Sequence, residues 1–168
     1  EKSAINYFCQ CTNSVIYTNH LSNFSNEFTV NANLLMSVID DKIFEKIKPD
    51  ILITIGGQTG DYPLYLRFSK TIYTEMEHWR ISEDGNITDT YDKLTHVFQG
   101  KEIDFFSNVC KNNIKQSYIK DWKKENNNLK RNIAVPFSNV GIAQFLHDKL
   151  PSNSIIQFSI LNSLRAWP

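Results

Sequence analysis

The chain has 168 residues, and 18 Lys and Arg are balanced by 18 Asp and Glu, so the formal net charge is zero. This length holds one domain with a proper core and leaves residues for a linker or a further element. A neutral chain gives no electrostatic case for a nucleic acid or an anionic membrane as partner, and we predict neither.

The first fifty residues predict a helix, a strand and two further helices. Apolar residues at helical spacing favour a first helix that ends near Thr12, and the run 15–19 reads as a short buried strand. The next predicted helix buries Leu34, Leu35, Val38 and Ile39. Asp40 and Asp41 then open a short helix whose predicted buried face is Ile43, Phe44 and Ile47.

Residues 51–57, Ile-Leu-Ile-Thr-Ile-Gly-Gly, form the strongest strand pattern in the chain. The run is apolar on both faces and rich in β-branched residues, as in strands that helices cover from both sides. We therefore predict that this strand lies in the middle of a parallel sheet.

Short elements alternate again after this strand. A helix is predicted from Pro63 to Phe68, then two short strands or one interrupted strand over 71–82, a turn at 83–85, a strand at 95–98 and a helix at 100–110. The last helix is predicted to bury Ile103, Phe106 and Val109. Strands separated by helices are typical of a layered α/β domain with a mostly parallel sheet.

The pattern changes in the last third of the chain. Residues 111–131 are rich in Lys and Asn and predict a solvated connecting segment. Ser138 is a good N-cap for an apolar helix, and 154–160 reads as a strand that is apolar on both faces. Because such a strand does not close a domain, and because the first residue is Glu1, we expect a piece of a larger polypeptide.

Reactive side chains give weak signals. Cys9, Cys11 and Cys110 are odd in number, so we predict reduced thiols in a cytoplasmic protein. His78 and His96 lie on predicted strands, where a lone histidine is usually a satisfied core or edge residue. No spacing typical of zinc ligands or of a Ser-His-Asp site is present.

Several motifs in order carry a family resemblance. They are a strand ending in Gly-Gly, a His-Trp strand before an Asp-Gly turn, the strand Leu-Thr-His-Val-Phe, a Trp-containing linker, Leu-Pro-x-Asn-Ser and Asn-Ser-Leu-Arg. Together they resemble the thiamine-diphosphate-dependent enzymes, and most of all the synthase of menaquinone biosynthesis that joins 2-oxoglutarate to isochorismate. The resemblance implies a three-layer, Rossmann-like α/β domain of the DHS-like NAD/FAD-binding type, with a mostly parallel sheet.

The resemblance also implies a domain organisation. Residues 1–112 would be the central domain, 113–137 a linker, and 138–168 the truncated start of the diphosphate-binding domain. The family's activating Glu and its Gly-Asp-Gly…Asn segment belong to the first and third domains. Thiamine diphosphate and magnesium are therefore expected in the full-length parent, and neither is expected here.

By the same resemblance the parent is a cytoplasmic transferase, a carboligase that works as a homo-oligomer. This chain's partners would be the pyrimidine-binding and diphosphate-binding domains of the same polypeptide. We predict no catalytic, cofactor-binding or metal-ligating residue in the chain itself. The isolated chain is accordingly expected to be inactive.

Two loops are predicted to approach the substrate. The resemblance implies that Asn162 and Ser163, with Arg165 two residues earlier than the family's usual Arg, contact a substrate carboxylate. Alternatively, Ser163 only caps a helix. In the second loop Gly57 and Tyr62 are candidates, because glycines after a strand let a ligand approach the backbone.

The second loop departs from the family pattern. The related synthase carries Lys-Arg where this chain has Tyr62 and Pro63, and the loss of both charges suggests a paralogue with another acceptor. Two further readings stay open. One is an NAD- or FAD-binding Rossmann-type domain, although the sequence lacks Gly-x-Gly-x-x-Gly. The other is a scaffold and subunit-contact module without a ligand.

Overall fold

The computed structural model describes residues 2–18, 22, 24–57, 61–70, 73–108, 117–129, 134–159 and 166–167. The chain divides into two compact units, Glu1–Leu129 and Lys130–Pro168, and each is considered by itself.

The first unit alternates helices and strands. In chain order its elements are α1 (Lys2–Thr12), β1 (Ile16–Tyr17), β2 (Thr29–Val30), α2 (Ala32–Val38), α3 (Asp41–Ile47), β3 (Ile51–Ile55), α4 (Tyr62–Phe68), β4 (Glu77–Ser82), β5 (Leu94–Gln99), α5 (Glu102–Asn108) and α6 (Tyr118–Asn127). β1 and β2 form a parallel pair, and β3, β4 and β5 form a parallel sheet in that order. The predicted α/β class with a parallel sheet is confirmed.

The position of β3 in the sheet differs from the prediction. Among the described residues β3 pairs with β4 alone, and its terminal residues Ile51 and Ile55 are 43% and 41% exposed. The central strand is β4, although it carries His78 and Arg80. Hydrophobicity pointed to the wrong strand because these two polar side chains are buried through hydrogen bonds, which no apolar pattern reports.

Helices cover both faces of the sheet. Leu52 packs against a cluster built from α2, α3 and α4, which includes Leu35, Phe44 and Phe68. Ile53, the next residue of β3, faces the opposite way and packs with residues of α1 and α5. Because neighbouring strand residues point to opposite faces, these two clusters give the three layers that the sequence predicted.

The predicted face of α2 is partly wrong. The buried stripe runs through Ala32, Leu35, Met36 and Ile39. These positions follow the i, i+3, i+4, i+7 spacing of a helix face, and this spacing turns Val38 outward, where it is 61% exposed. Leu34 is also exposed. For α3 the prediction is confirmed, since the Asp40 carboxylate accepts the Ile43 amide and Phe44 and Ile47 are buried.

The segment before β4 and the helix after β5 differ from the prediction. Residues 73–76 form a turn instead of a strand, and Tyr73 and Met76 are buried there. α5 buries Phe106, whereas Ile103 is exposed. Val109, the third predicted contact of this helix, lies outside the described residues.

The interpretation of 111–131 as a solvated connection is wrong at α6. Ile119 packs into the cluster on one face of the sheet and Trp122 into the cluster on the other. The Trp122 indole nitrogen donates to the Ile47 carbonyl at 2.9 Å. Lysines 120, 123 and 124 are exposed on the outer side of the helix, so their charge hid a buried inner face.

The second unit contains α7 (Asn139–Leu146). The predicted N-cap is confirmed, because the Ser138 hydroxyl accepts the Gly141 amide at 3.1 Å. The predicted strand at 154–160 is not formed over 154–159, and Ile155 is 92% exposed. A strand with two apolar faces requires neighbouring strands, and the described part of this unit contains none.

Candidate functional site

The carboxyl ends of the parallel strands provide the best-placed surface for a ligand. β3 ends at Ile55, and Gly56 follows with a φ of +72°, a left-handed conformation that glycine adopts without steric cost. Gly56 and Gly57 are both exposed, and a Cβ atom built at either position would meet no atom within 4 Å. The turn after β3 therefore faces open space, as expected for an approachable backbone.

Arg80 joins this turn to the loop after β4. Its side chain is nearly buried, its Nε donates to the Asn86 carbonyl at 3.1 Å, and its Nη1 donates to the Gly56 carbonyl at 3.4 Å. Nη2 lies 3.7 Å from the Asp84 carboxylate. The pKa of Asp84 is lowered first by the Ser82 hydroxyl, then by hydrogen bonds from Asn86 and by the Arg80 charge. The Arg80 guanidinium thus holds two loops together at the carboxyl edge of the sheet.

A second polar cluster surrounds Asp61, the residue before α4. The Tyr17 hydroxyl donates to one oxygen of its carboxylate, and the Asn33 side-chain amide donates to the other at 2.9 Å. Burial raises the pKa of Tyr17, and the Asp61 carboxylate raises it further. The hydroxyl consequently keeps its proton at neutral pH and remains a donor to Asp61.

The structure places two of the five predicted site residues. Gly57 lies in the exposed turn after β3, and Tyr62 begins α4 with 61% of its surface exposed and its ring stacked on Tyr65. Asn162, Ser163 and Arg165 lie outside the described residues. Their predicted contact with a substrate carboxylate remains a prediction.

Four polar residues of these two clusters were not predicted from the sequence: Tyr17, Asn33, Asp61 and Arg80. Asp61 and Tyr17 are 44 residues apart, and each lies in a segment that reads as ordinary strand end or loop. The signal for Arg80 was a charged residue inside an otherwise strand-like run. A charge in that place requires paired polar atoms around it, so it pointed to a polar site at the sheet.

His78 is buried in the first half of β4, away from the carboxyl edge. Its Nε2 lies 2.9 Å from the Thr54 hydroxyl, its ring packs edge-on against Tyr91, and its Nδ1 lies 3.7 Å from the Asp89 carboxylate. Burial lowers the pKa of His78, while Asp89 raises it and Arg80 lowers it by smaller amounts. The geometry fits the predicted role of a core histidine.

We expect stability to depend on pH through His78. Its folded-state pKa lies below the ordinary value of 6.5, so the unfolded state binds more protons between the two values. The free energy of unfolding should therefore rise with pH in that window, and the stabilisation that is complete above pH 6.5 should be lost as the pH falls through the lower pKa. Urea denaturation of the wild type and of His78→Gln between pH 5 and about pH 8 measures the difference in slope.

His96→Gln is the matched control, because His96 is largely exposed on β5. It should keep the wild-type pH dependence, whereas His78→Gln should have a flatter profile. Equal slopes in the wild type and His78→Gln would contradict the assignment of a lowered pKa to His78.

The cysteines depart from the predicted reduced state. Cys11 is disulfide-bonded, so the prediction of free thiols is wrong for this residue. Cys9 is a free thiol, and burial raises its pKa to about 12. A buried thiol that stays protonated is a poor nucleophile, so Cys9 is a packing residue. Cys110 lies outside the described residues.

Neither a metal site nor a membrane-spanning helix is present among the described residues. No group of three or more His, Cys, Asp or Glu side chains is placed there to hold a metal ion. No helix in the same part of the chain has the length and hydropathy needed to cross a membrane.

Two curated proteins that are similar to nearly the whole chain carry the same name. The chain is 26% identical to a protein of Flavobacterium psychrophilum over 169 residues and 24% identical to one of Flavobacterium johnsoniae over 173 residues. These alignments cover 96% and 98% of the chain. Both relatives are named 2-succinyl-5-enolpyruvyl-6-hydroxy-3-cyclohexene-1-carboxylate synthase.

The chain is similar to these synthases. A protein of the same name from Bacteroides thetaiotaomicron is 33% identical over 67 residues, which cover 39% of the chain and 11% of that protein. The predicted resemblance is therefore confirmed. The chain spans 30% and 31% of the lengths of the two Flavobacterium synthases. No protein-family model matches the chain.

Proposed function

We propose that this chain is the central, supporting part of a thiamine-diphosphate-dependent carboligase related to the 2-succinyl-5-enolpyruvyl-6-hydroxy-3-cyclohexene-1-carboxylate synthases. The observation that carries the proposal is the near end-to-end alignment with two such synthases, at 96% and 98% of the chain. The parallel α/β sheet of the first unit supports it, since a covered sheet of this kind suits a rigid scaffold.

The proposal keeps the domain assignment made from the sequence. Residues 1–112 are the central domain, 113–137 connect it, and 138–168 begin the diphosphate-binding domain. The buried inner face of α6 supports a connection that also packs on the central domain. The whole enzyme is proposed to be a cytoplasmic homo-oligomer whose other domains bind the two ends of the cofactor.

This chain is not proposed to hold thiamine diphosphate or magnesium itself. The sequence has no Gly-Asp-Gly segment, and the described residues include no cluster of metal-binding side chains. The cofactor chemistry is therefore assigned to the other domains of the whole enzyme. This chain is proposed to act by holding loops at the carboxyl edge of its sheet.

A second candidate is a related enzyme with a different acceptor. Tyr62 is exposed and uncharged, and Pro63 follows it. The family resemblance implies a Lys-Arg pair at these two positions. A tyrosine provides no cation, so it can donate one hydrogen bond to a carboxylate but cannot form the bidentate ion pair that an arginine forms. An acceptor with fewer carboxylates would suit this loop better than isochorismate does.

The coding sequence on both sides of this chain tests the proposal. We expect a pyrimidine-binding domain upstream and a Gly-Asp-Gly…Asn segment downstream. The product of that whole reading frame, with thiamine diphosphate and Mg²⁺, should release carbon dioxide from 2-oxoglutarate and consume isochorismate. Decarboxylation without consumption of isochorismate would favour the second candidate.

The 168-residue chain itself is the matched control. It should show no turnover under the same conditions, because it lacks the residues that hold the cofactor. Turnover by the isolated chain, or flanking sequence without both family segments, would overturn the proposed function.

A further inference from the structure

We propose that Tyr17 and Asn33 are positioning residues that fix the start of α4, and with it Tyr62, by holding the Asp61 carboxylate. The inference rests on the proposed function for the role of Tyr62 toward the acceptor. The anchor itself rests on contacts within the first unit alone.

The Asp61 carboxylate binds side chains of other elements and does not cap its own helix. Asp61 is the N-cap residue of α4, where an aspartate usually accepts an amide of the first helical turn. Here the side chain makes no such cap hydrogen bond. Its two oxygens instead accept from Tyr17 and Asn33, and hydrogen bonds to a carboxylate are the stronger kind.

Packed secondary-structure elements hold both donors, Tyr17 and Asn33, in place. Tyr17 is the last residue of β1 and pairs with Val30 of β2, while Asn33 lies in the first turn of α2. Val30 and Ala32 are buried in the same core cluster, and Tyr17 packs against it. A side chain held by packed elements of this kind can fix a loop end to within a fraction of an ångström.

The other end of the connection between β3 and α4 is also tied. The Gly56 carbonyl accepts from Arg80 of the central strand at 3.4 Å, and Arg80 is held in turn by the Asn86 carbonyl. Side chains from neighbouring elements therefore bind both described ends, Gly56 and Asp61.

The consequence concerns the residue after Asp61. Tyr62 is the first residue of α4 and is exposed, and the proposed function gives it a place near the acceptor. Because Asp61 is anchored through its side chain, the place of Tyr62 is fixed by Tyr17 and Asn33. A shift of this anchor would move the residue proposed to face the acceptor.

Hydrogen exchange of the Tyr65 amide tests the anchor. This amide donates to the Asp61 carbonyl at 3.1 Å, so it reports the first turn of α4. In the 168-residue chain carrying Tyr17→Phe we expect its exchange to be roughly tenfold to a hundredfold faster, the effect of one lost hydrogen bond to a charged group. Amides of α3, which begins at a separate N-cap, Asp40, should keep their rates.

Tyr7→Phe is the matched control, because Tyr7 is exposed on α1 and loses the same single oxygen atom. It should leave the Tyr65 amide within about twofold of the wild type. Asn33→Asp is the second variant, since it sets a second carboxylate against Asp61 and should also speed exchange at Tyr65. Unchanged exchange at Tyr65 in both variants, or an equal rise throughout the first unit, would overturn the anchor.

The product of the whole reading frame tests the positioning role. Tyr17→Phe should raise KM for the acceptor about tenfold and leave kcat within about twofold, since the reacting groups are elsewhere. Faster exchange with an unchanged KM in an active enzyme would overturn the positioning role. If the wild-type product is inactive, the proposed function fails, and the exchange measurement still decides the anchor.

Discussion

Replacing Trp122 by alanine should lower the free energy of unfolding of the first unit by about 3–5 kcal/mol, the usual cost of removing a buried tryptophan. Trp122 is 3% exposed and belongs to the core cluster on the α2–α4 side of the sheet. The substitution leaves a cavity and also removes the indole N–H that donates to the Ile47 carbonyl. Urea denaturation followed by circular dichroism measures the loss.

Two further variants separate the contributions. Trp122→Phe keeps most of the buried ring but removes the indole N–H. The lost hydrogen bond should lower the free energy of unfolding by about 1 kcal/mol, in addition to the small loss of packing. The Ile47 carbonyl still accepts from the Tyr118 hydroxyl in this variant. Lys123→Ala, on the exposed side of α6, should change stability by less than about 0.5 kcal/mol.

The Trp122 result decides whether α6 belongs to the folded first unit. A loss below about 1 kcal/mol for Trp122→Ala would show that the tryptophan is not a core residue. The solvated-linker interpretation of residues 111–131 would then stand. A packed helix face predicts that alanine at Trp122 or at Ile119 lowers the free energy of unfolding, whereas alanine at Lys123 does not.

Helices and strands were predicted correctly where a short stretch of sequence is enough to determine them, as at a helix N-cap. Asp40 caps α3 because its carboxylate satisfies a free amide of the first turn, and the sequence shows this directly. β5 follows from its strand-like composition. The three-layer class follows from the alternation of such elements, so it required no knowledge of contacts between distant residues.

The order of strands was not predictable from hydrophobicity. β3 has the more apolar sequence, yet β4 is the strand with two neighbours. Burial of Arg80 and His78 depends on carbonyl and hydroxyl groups contributed by Gly56, Asn86 and Thr54. These partners come from separate segments, so the sequence of β4 by itself could not reveal them.

The candidate site also contains residues that a short stretch of sequence predicts and residues that only the fold brings together. Gly57 was predicted because two glycines after a strand are a local signal, and Tyr62 was predicted from the family resemblance of the same loop; both stay predictions as site residues. The Asp61 cluster was missed because Tyr17 and Asn33 precede Asp61 by 44 and 28 residues, and only the fold brings them together. Positioning groups of this kind leave no spacing pattern, since their distance along the chain is set by the elements between them.

Replacing Phe44 by alanine is the second large effect we expect, again about 3–5 kcal/mol of unfolding free energy. Phe44 is fully buried, and its ring contacts the ring of Tyr73 at 5.1 Å and that of Phe68 at 5.8 Å between centroids. The Arg67 guanidinium lies 5.4 Å from the same ring. Loss of the ring therefore removes aromatic and cation–π contacts as well as apolar burial.

Phe137→Ala is the matched control for Phe44→Ala, because Phe137 is 95% exposed and the chemical change is the same. It should alter the unfolding free energy by less than about 0.5 kcal/mol. Similar small losses for both variants would contradict the assignment of Phe44 to the core.

The Phe44 variant also connects the core to the candidate site. Phe68 and Arg67 belong to α4, the helix that begins with Tyr62, and Arg67 donates to the Ile39 carbonyl at 2.7 Å. α4 is thus held at its far end by Phe44 and the α2–α3 junction, and at its near end by the Asp61 anchor. We expect Phe44→Ala to speed amide exchange throughout α4, whereas Tyr17→Phe should act on its first turn alone. This difference would show that the core sets the helix and the anchor sets the position of Tyr62.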